Sequence, residues 1–169
     1  MKKGTSNITL TALFAVIIAV CSWICVPIGA LPITLQTFAA ALCGYVLGKG
    51  RGGAAVALYL LLGSIGLPVF SAMQGGFGVL LSPAGGFLFG FLAIAFCCGL
   101  KKEQKGGLFW GFFGIVICHL AGIIQFSLIS KISLAAAFLS ASLPFLVKDI
   151  LCVWAAYLVA KRIKKEIDI

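Results

Sequence analysis

Six apolar runs alternate along the chain with two kinds of connection, one charged and one not. The runs cover about Ile8 to Val26, Thr34 to Gly48, Ala54 to Leu67, Ala84 to Leu100, Leu108 to Ser130 and Leu143 to Ala160. A bilayer core is crossed by about 20 apolar helical residues, so six crossings need about 120 residues and leave about 50 for loops and tails. The pattern predicts an all-α membrane protein, a six-transmembrane-helix bundle forming one domain over residues 1–169. The first run is longer than the apolar core of a usual secretory leader, and no A-x-A-like cleavage site follows it. It therefore reads as a span.

Spans two and three are short. Fifteen helical residues rise about 22 Å, against a hydrocarbon core of about 30 Å. Both adjoin the charged turn at Lys49 and Arg51, so the shortfall falls at their other ends. There the chain continues as Pro27-Ile28-Gly29-Ala30-Leu31-Pro32-Ile33 and as Val69 to Pro83, segments containing Pro and Gly yet apolar and uncharged. Irregular backbone at membrane depth persists only where it is buried in protein or lines a cavity. These two segments, the first and third loops, are expected to roof an outward-facing pocket.

Composition agrees and narrows the classes. Of 169 residues, 62% are hydrophobic and 10% charged, with a mean hydropathy of +1.19, whereas soluble chains are about 25% charged. No polar stretch is long enough for a soluble domain, which excludes an enzyme on a membrane anchor as well as a disordered or secreted chain. A net charge of +9 suggests nucleic acid in a soluble protein, but here the charges are sorted by side. All thirteen lysines and arginines except Lys131 and Lys148 precede the first run, follow the last, or lie in the connections after runs two and four. The positive-inside rule then puts both termini in the cytoplasm of a multi-pass cell-membrane protein, with the lipid bilayer rather than nucleic acid as its surroundings.

The chemistry is concentrated at few positions. Asp149 is the only acidic residue inside a run. Counted back from Lys161 it lies about 18 Å above the cytoplasmic end, level with the expected pocket. Ionisable groups at such depth face protein or water and mark functional sites. Lys148 adjoins it, but neighbours one residue apart point about 100° apart on a helix, so the two are expected to pair poorly and Asp149 to find another partner. The third loop, Ser71-Ala72-Met73-Gln74-Gly75-Gly76-Phe77-Gly78 and then Leu81-Ser82-Pro83-Ala84-Gly85-Gly86-Phe87, offers Gln74 and Ser82 as hydrogen-bonding groups. Its phenylalanines are candidate apolar walls for a small molecule. His119 and Gln125, both in run five, read as packing residues before ligands.

Ala15 and Ala19 form a small-x-x-x-small pair in span one, either for internal packing or for docking a partner's helices. Gly44 with Gly48 and Gly86 with Gly90 carry the same two meanings. Gly44-Tyr45-Val46-Leu47-Gly48-Lys49 is no nucleotide-binding loop, because three residues rather than four separate the glycines and Gly50 stands where Ser or Thr is needed. Paired carboxylates, a Ser/His/Asp set and H-E-x-x-H are all lacking, so no enzyme activity, cofactor or metal is expected. The seven cysteines all lie in apolar runs and read as small buried filler.

Four segments together resemble one family: Pro32-Ile33-Thr34-Leu35-Gln36, the Gln74-Gly75-Gly76 turn, Leu81 to Phe87, and Pro144-Phe145-Leu146-x-x-Asp149. They are similar to BioY, the biotin-specific S component of energy-coupling factor (ECF) transporters, and the similarity spans essentially the whole chain. The resemblance implies a six-helix capture subunit that takes biotin from outside beneath loops 1 and 3. It implies as partners a transmembrane coupling subunit and two ATPase subunits, with Ala15 and Ala19 docking to the coupling subunit. As ligand contacts it implies Gln74 and Asp149; Lys148, Thr34, Gln36, Gly75, Gly76, Phe77, Ser82, Phe87 and Cys152 complete the expected ligand-binding set. The family often carries a Lys at the place of Cys152, and Phe87 stands where a Tyr is also seen. Lys148 is then the residue available to supply a positive charge. S components for other vitamins and membrane assembly proteins are the rival classes.

Overall fold

The computed structural model describes residues 2–28, 31–100 and 106–166. Gly29, Ala30, Lys101, Lys102 and Lys105, which enter the loop and charge arguments, lie outside the described residues, as do the side chains of Lys2 and Lys3. The elements in chain order are α1 (Lys2–Trp23), β1 (Cys25–Ile28), β2 (Leu31–Thr34), α2 (Gln36–Ser64), α3 (Phe77–Leu80), α4 (Gly85–Cys98), α5 (Gly107–Ser130), α6 (Leu134–Ala141) and α7 (Leu143–Glu166).

Runs two and three are the two arms of α2, folded back on each other at Gly48. Gly48 has φ 80° and ψ 170°, a backbone region open essentially to glycine alone. The reversal brings Cys43 and Gly44 against Gly52. Helix α2 packs on α1, α4 and α7, and α4 packs on α5, so α2 forms the centre of the bundle. Gly44 and Gly90 lie directly against Ala95 and Cys118 of neighbouring helices. These small residues let the helices approach, as small residues do in lipid-embedded bundles.

Three boundaries correct the expectation from the sequence. Span one ends at Trp23 rather than Val26, and α2 begins at Gln36 rather than Thr34. Between them the first loop is an antiparallel two-stranded ribbon with Cys25 opposite Thr34 and Pro27 opposite Pro32. The chain is thus not purely α. Pro27 and Pro32 cannot continue a helix, the β-branched residues beside them favour strands, and a two-stranded ribbon consists only of edges, where proline is tolerated. Helix α7 continues to Glu166 rather than stopping at Ala160, because the lysines and arginine of the tail are good helix formers and favour a helix C-terminus. The eight-residue α6 was not anticipated; Ser133 caps it, its Oγ accepting the Ala136 N–H at 3.2 Å.

Large apolar side chains cover the outside as well as the core, unlike in a soluble protein. Leu13, Val16 and Val20 of α1, Phe113, Val116 and Leu120 of α5, and Val147, Leu151, Trp154 and Leu158 of α7 form outward stripes at helical spacing. Ser22, Thr34, Gln36, Thr37, His119, Ser142 and Asp149 are buried inside. By length and composition α5 and α7 are able to cross a membrane, and α4 and the Asn7–Trp23 part of α1 are shorter apolar helices.

Candidate functional site

Beneath the two loops lies a cavity of about 430 Å³, within the range of small-molecule sites. Pro27, Leu31 and Pro32 of the ribbon roof it on one side, and Ser71, Ala72, Gln74 and Val79 of the third loop on the other. Its walls are Phe87, Leu88 and Phe91 of α4, Cys118 of α5, and Phe145 of α7. On α4 the wall positions fall at i, i+1 and i+4, one face of a helix.

The polar wall comes from α7 and the first turn of α2. Phe145, Lys148 and Asp149 are at i, i+3 and i+4, so a single stripe of α7 carries both ionisable residues to the cavity. The expectation that Lys148 and Asp149 pair poorly is corrected here, since Lys148 Nζ lies 2.5 Å from Asp149 Oδ1. The four-carbon lysine stem folds back over the short carboxylate, which the angle between Cβ directions does not describe. The same ammonium donates to the Thr34 carbonyl at 3.2 Å and to Thr37 Oγ1 at 3.4 Å, tying α7 to the start of α2.

Asp149 is 7% exposed and held from three helices. Thr37 Oγ1 donates to Oδ1 at 2.6 Å, and His119 Nε2 lies 3.1 Å from Oδ2. Behind it, His119 Nδ1 is 2.6 Å from Ser142 Oγ. A buried charge is tolerated only when paired and hydrogen-bonded, and this set meets that condition. Beside it a second network fixes the amide of Gln36: Thr34 Oγ1 donates to Gln36 Oε1 at 2.8 Å, and Gln36 Nε2 donates to Tyr59 Oη at 2.6 Å.

Side chains from the bundle moor the third loop. Ser22 Oγ reaches the Val69 carbonyl and Trp23 Nε1 donates to the Pro68 carbonyl at 2.8 Å, fixing its start. Gln125 Nε2 donates to the carbonyls of Leu80 and Ser82, both at 2.8 Å, fixing its end. Gln125 is thus a structural tether and not part of the cavity lining. Within the loop, Ala72 and Met73 adopt φ of 55° and 56°, a strained conformation that tends to accompany ligand clamps.

Of the residues expected at the site, Asp149, Gln74, Lys148, Thr34, Gln36, Ser82 and Phe87 line the cavity. Gly75, Gly76, Phe77 and Cys152 do not. Gly75 packs against the carbonyls of Gly66 and Leu67, and Gly76, at φ 102°, donates its N–H to the Gly63 carbonyl at 2.7 Å, so both shape the loop. Phe77 turns outward and is 61% exposed, while Cys152 is buried one turn further along α7. Ala15 and Ala19, expected at a docking surface, are 2% and 7% exposed in the core, which corrects that expectation toward internal packing. Thr37, Phe91 and Phe145 were not anticipated. Phe145 was within reach, since it precedes Asp149 by one helical turn.

The BioY family model matches residues 1–168. The biotin transporter BioY of Thermotoga maritima is 40% identical over 157 residues, covering 90% of this chain and 92% of that protein. The probable biotin transporter BioY of Pyrococcus horikoshii is 34% identical over 158 residues, covering 94% of this chain and 96% of its own. Among solved structures, the S-component for biotin from an ECF-type ABC transporter superimposes with a TM-score of 0.89 at 26% identity, over 97% of this chain and 93% of that one. A mostly helical chain, a ribbon and a loop roofing one cavity, and whole-length similarity to these transporters lead to one conclusion: the chain belongs to the BioY family.

Proposed function

We propose that the protein is the biotin-binding S component of a prokaryotic ECF-type importer, a capture subunit and not an enzyme. The observation that carries this reading is the apolar cavity under two tethered loops with Asp149 on its wall. Biotin combines an apolar bicycle, a urea with two N–H donors and one acceptor, and a carboxylate tail. In this reading Asp149 accepts a urea N–H, Gln74 and Gln36 supply neutral amide contacts, and Phe87, Phe91 and Phe145 enclose the rings. Lys148 offsets the charge of Asp149. A ligand lacking the urea leaves buried polar groups unpaired, at about 1–3 kcal/mol each, and is rejected.

Six crossings follow in the same reading: α1, the two arms of α2, α4, α5 and α7, with both termini cytoplasmic and the roofed cavity facing outward. A transmembrane coupling subunit and two ATPases complete the importer. Retention of radiolabelled biotin by the purified protein tests the ligand. Competition by unlabelled biotin but not by thiamine or riboflavin is expected. Absence of retention, or displacement by another vitamin, overturns it.

A further inference from the structure

We propose that His119 is a positioning residue that presents Asp149 to the ligand, an inference resting on the biotin reading of the cavity. His119 is 5% exposed and does not line the cavity, so it acts only through its neighbours. Its two ring nitrogens face opposite ways: Nε2 toward Asp149 Oδ2 at 3.1 Å and Nδ1 toward Ser142 Oγ at 2.6 Å. With the proton on Nε2, the Ser142 hydroxyl donates to Nδ1 and Nε2–H donates to the carboxylate, so each donor of the chain has an acceptor. The ring also stands edge-on to Phe87, with centroids 5.8 Å apart and planes at 89°. One side chain thus braces both the carboxylate and an aromatic wall.

The donor inventory says what this bracing achieves. A carboxylate has about four acceptor positions. Thr37 and Lys148 both take Oδ1, and His119 takes one position on Oδ2. One acceptor position is left, on the oxygen that His119 fixes. Asp149 therefore receives a single ligand N–H, in a direction set by a residue the ligand never touches. Preorganising a polar contact in this way raises affinity by reducing the cost of ordering on binding.

The two amide replacements of histidine separate the functions of its nitrogens. The Gln side chain of His119→Gln places its NH2 near the Nε2 position, toward Asp149. The shorter His119→Asn places its polar group near Nδ1, toward Ser142. Equilibrium binding of tritiated biotin to the purified full chain is expected to stay within about threefold of wild type for His119→Gln and to weaken about tenfold or more for His119→Asn. A bystander packing role instead predicts equal effects of the two substitutions, and equal affinities overturn the proposal. His119→Leu supplies a second measure, with a loss of tenfold or more in wild type and less than twofold in an Asp149→Asn background. A full loss in both backgrounds also overturns it. Should His119→Leu fail to fold, the Gln and Asn pair decides alone. Folded wild-type protein that retains no biotin counts against the ligand assignment, a result distinct from any difference between variants.

Discussion

At the scale of single residues, the proposed function rests on Asp149, a carboxylate whose partners come from distant parts of the chain. Asp149→Ala takes from Lys148 its ion-pair partner and from His119 the acceptor of Nε2–H, and removes the group proposed to meet the ligand; biotin affinity is expected to fall more than tenfold in a radioligand assay. Thr37→Val retains the volume but deletes the hydroxyl that donates to Oδ1. Hydrogen bonds to charged groups contribute about 1.5–3 kcal/mol, so a loss of roughly tenfold in affinity, measured by the same assay, is expected. Asp149 was legible in the sequence because a lone acid in an apolar run is too costly to persist unless it faces a cavity or a partner. Thr37 was not. Its partner is 112 positions away, and a threonine at the start of a helix looks like an ordinary terminal residue until α7 is placed beside it.

At the scale of elements, the reversal at Gly48 and the tethers of the third loop are the features most open to test. A Cβ added at Gly48 meets no atom within 4 Å, so any effect of Gly48→Ala is backbone strain alone. Such conformations cost about 1–3 kcal/mol; a lower thermal midpoint with unchanged biotin affinity is expected. Gln125→Ala removes the side-chain amide that moors the carbonyls of Leu80 and Ser82 to α5. Faster biotin dissociation is expected by stopped-flow or filter assays, with the association rate little altered. The helices of runs four and five were legible to within two residues, since glycines flank both ends of run four and the start of run five, and Lys131 follows the last apolar turn of run five. The ribbon and α6 were not, because four-residue strands and an eight-residue apolar helix lack the length over which periodicity declares itself. The inward placement of Ala15 and Ala19 was equally hidden, since a small-x-x-x-small pair has the same spacing whether it meets a neighbour in the chain or a separate protein.

At the scale of the whole molecule, apolar stripes face outward and polar groups inward, the arrangement that an apolar solvent selects. The proposed topology predicts that a green fluorescent protein fused after Glu166 is fluorescent in cells, and that alkaline phosphatase inserted near Lys131 is active on the outer side. The opposite pair of results refutes it. The pairing of Lys148 with Asp149 also bears on energetics. With these two charges cancelling, the loaded cavity has the charge of its cargo alone. A monoanion carried inward then moves against an inside-negative voltage, at a cost of about 2.3 kcal/mol for each 100 mV traversed. On the proposed reading, the voltage that drives so many cation importers opposes this uptake, and net accumulation is expected to draw on a chemical fuel.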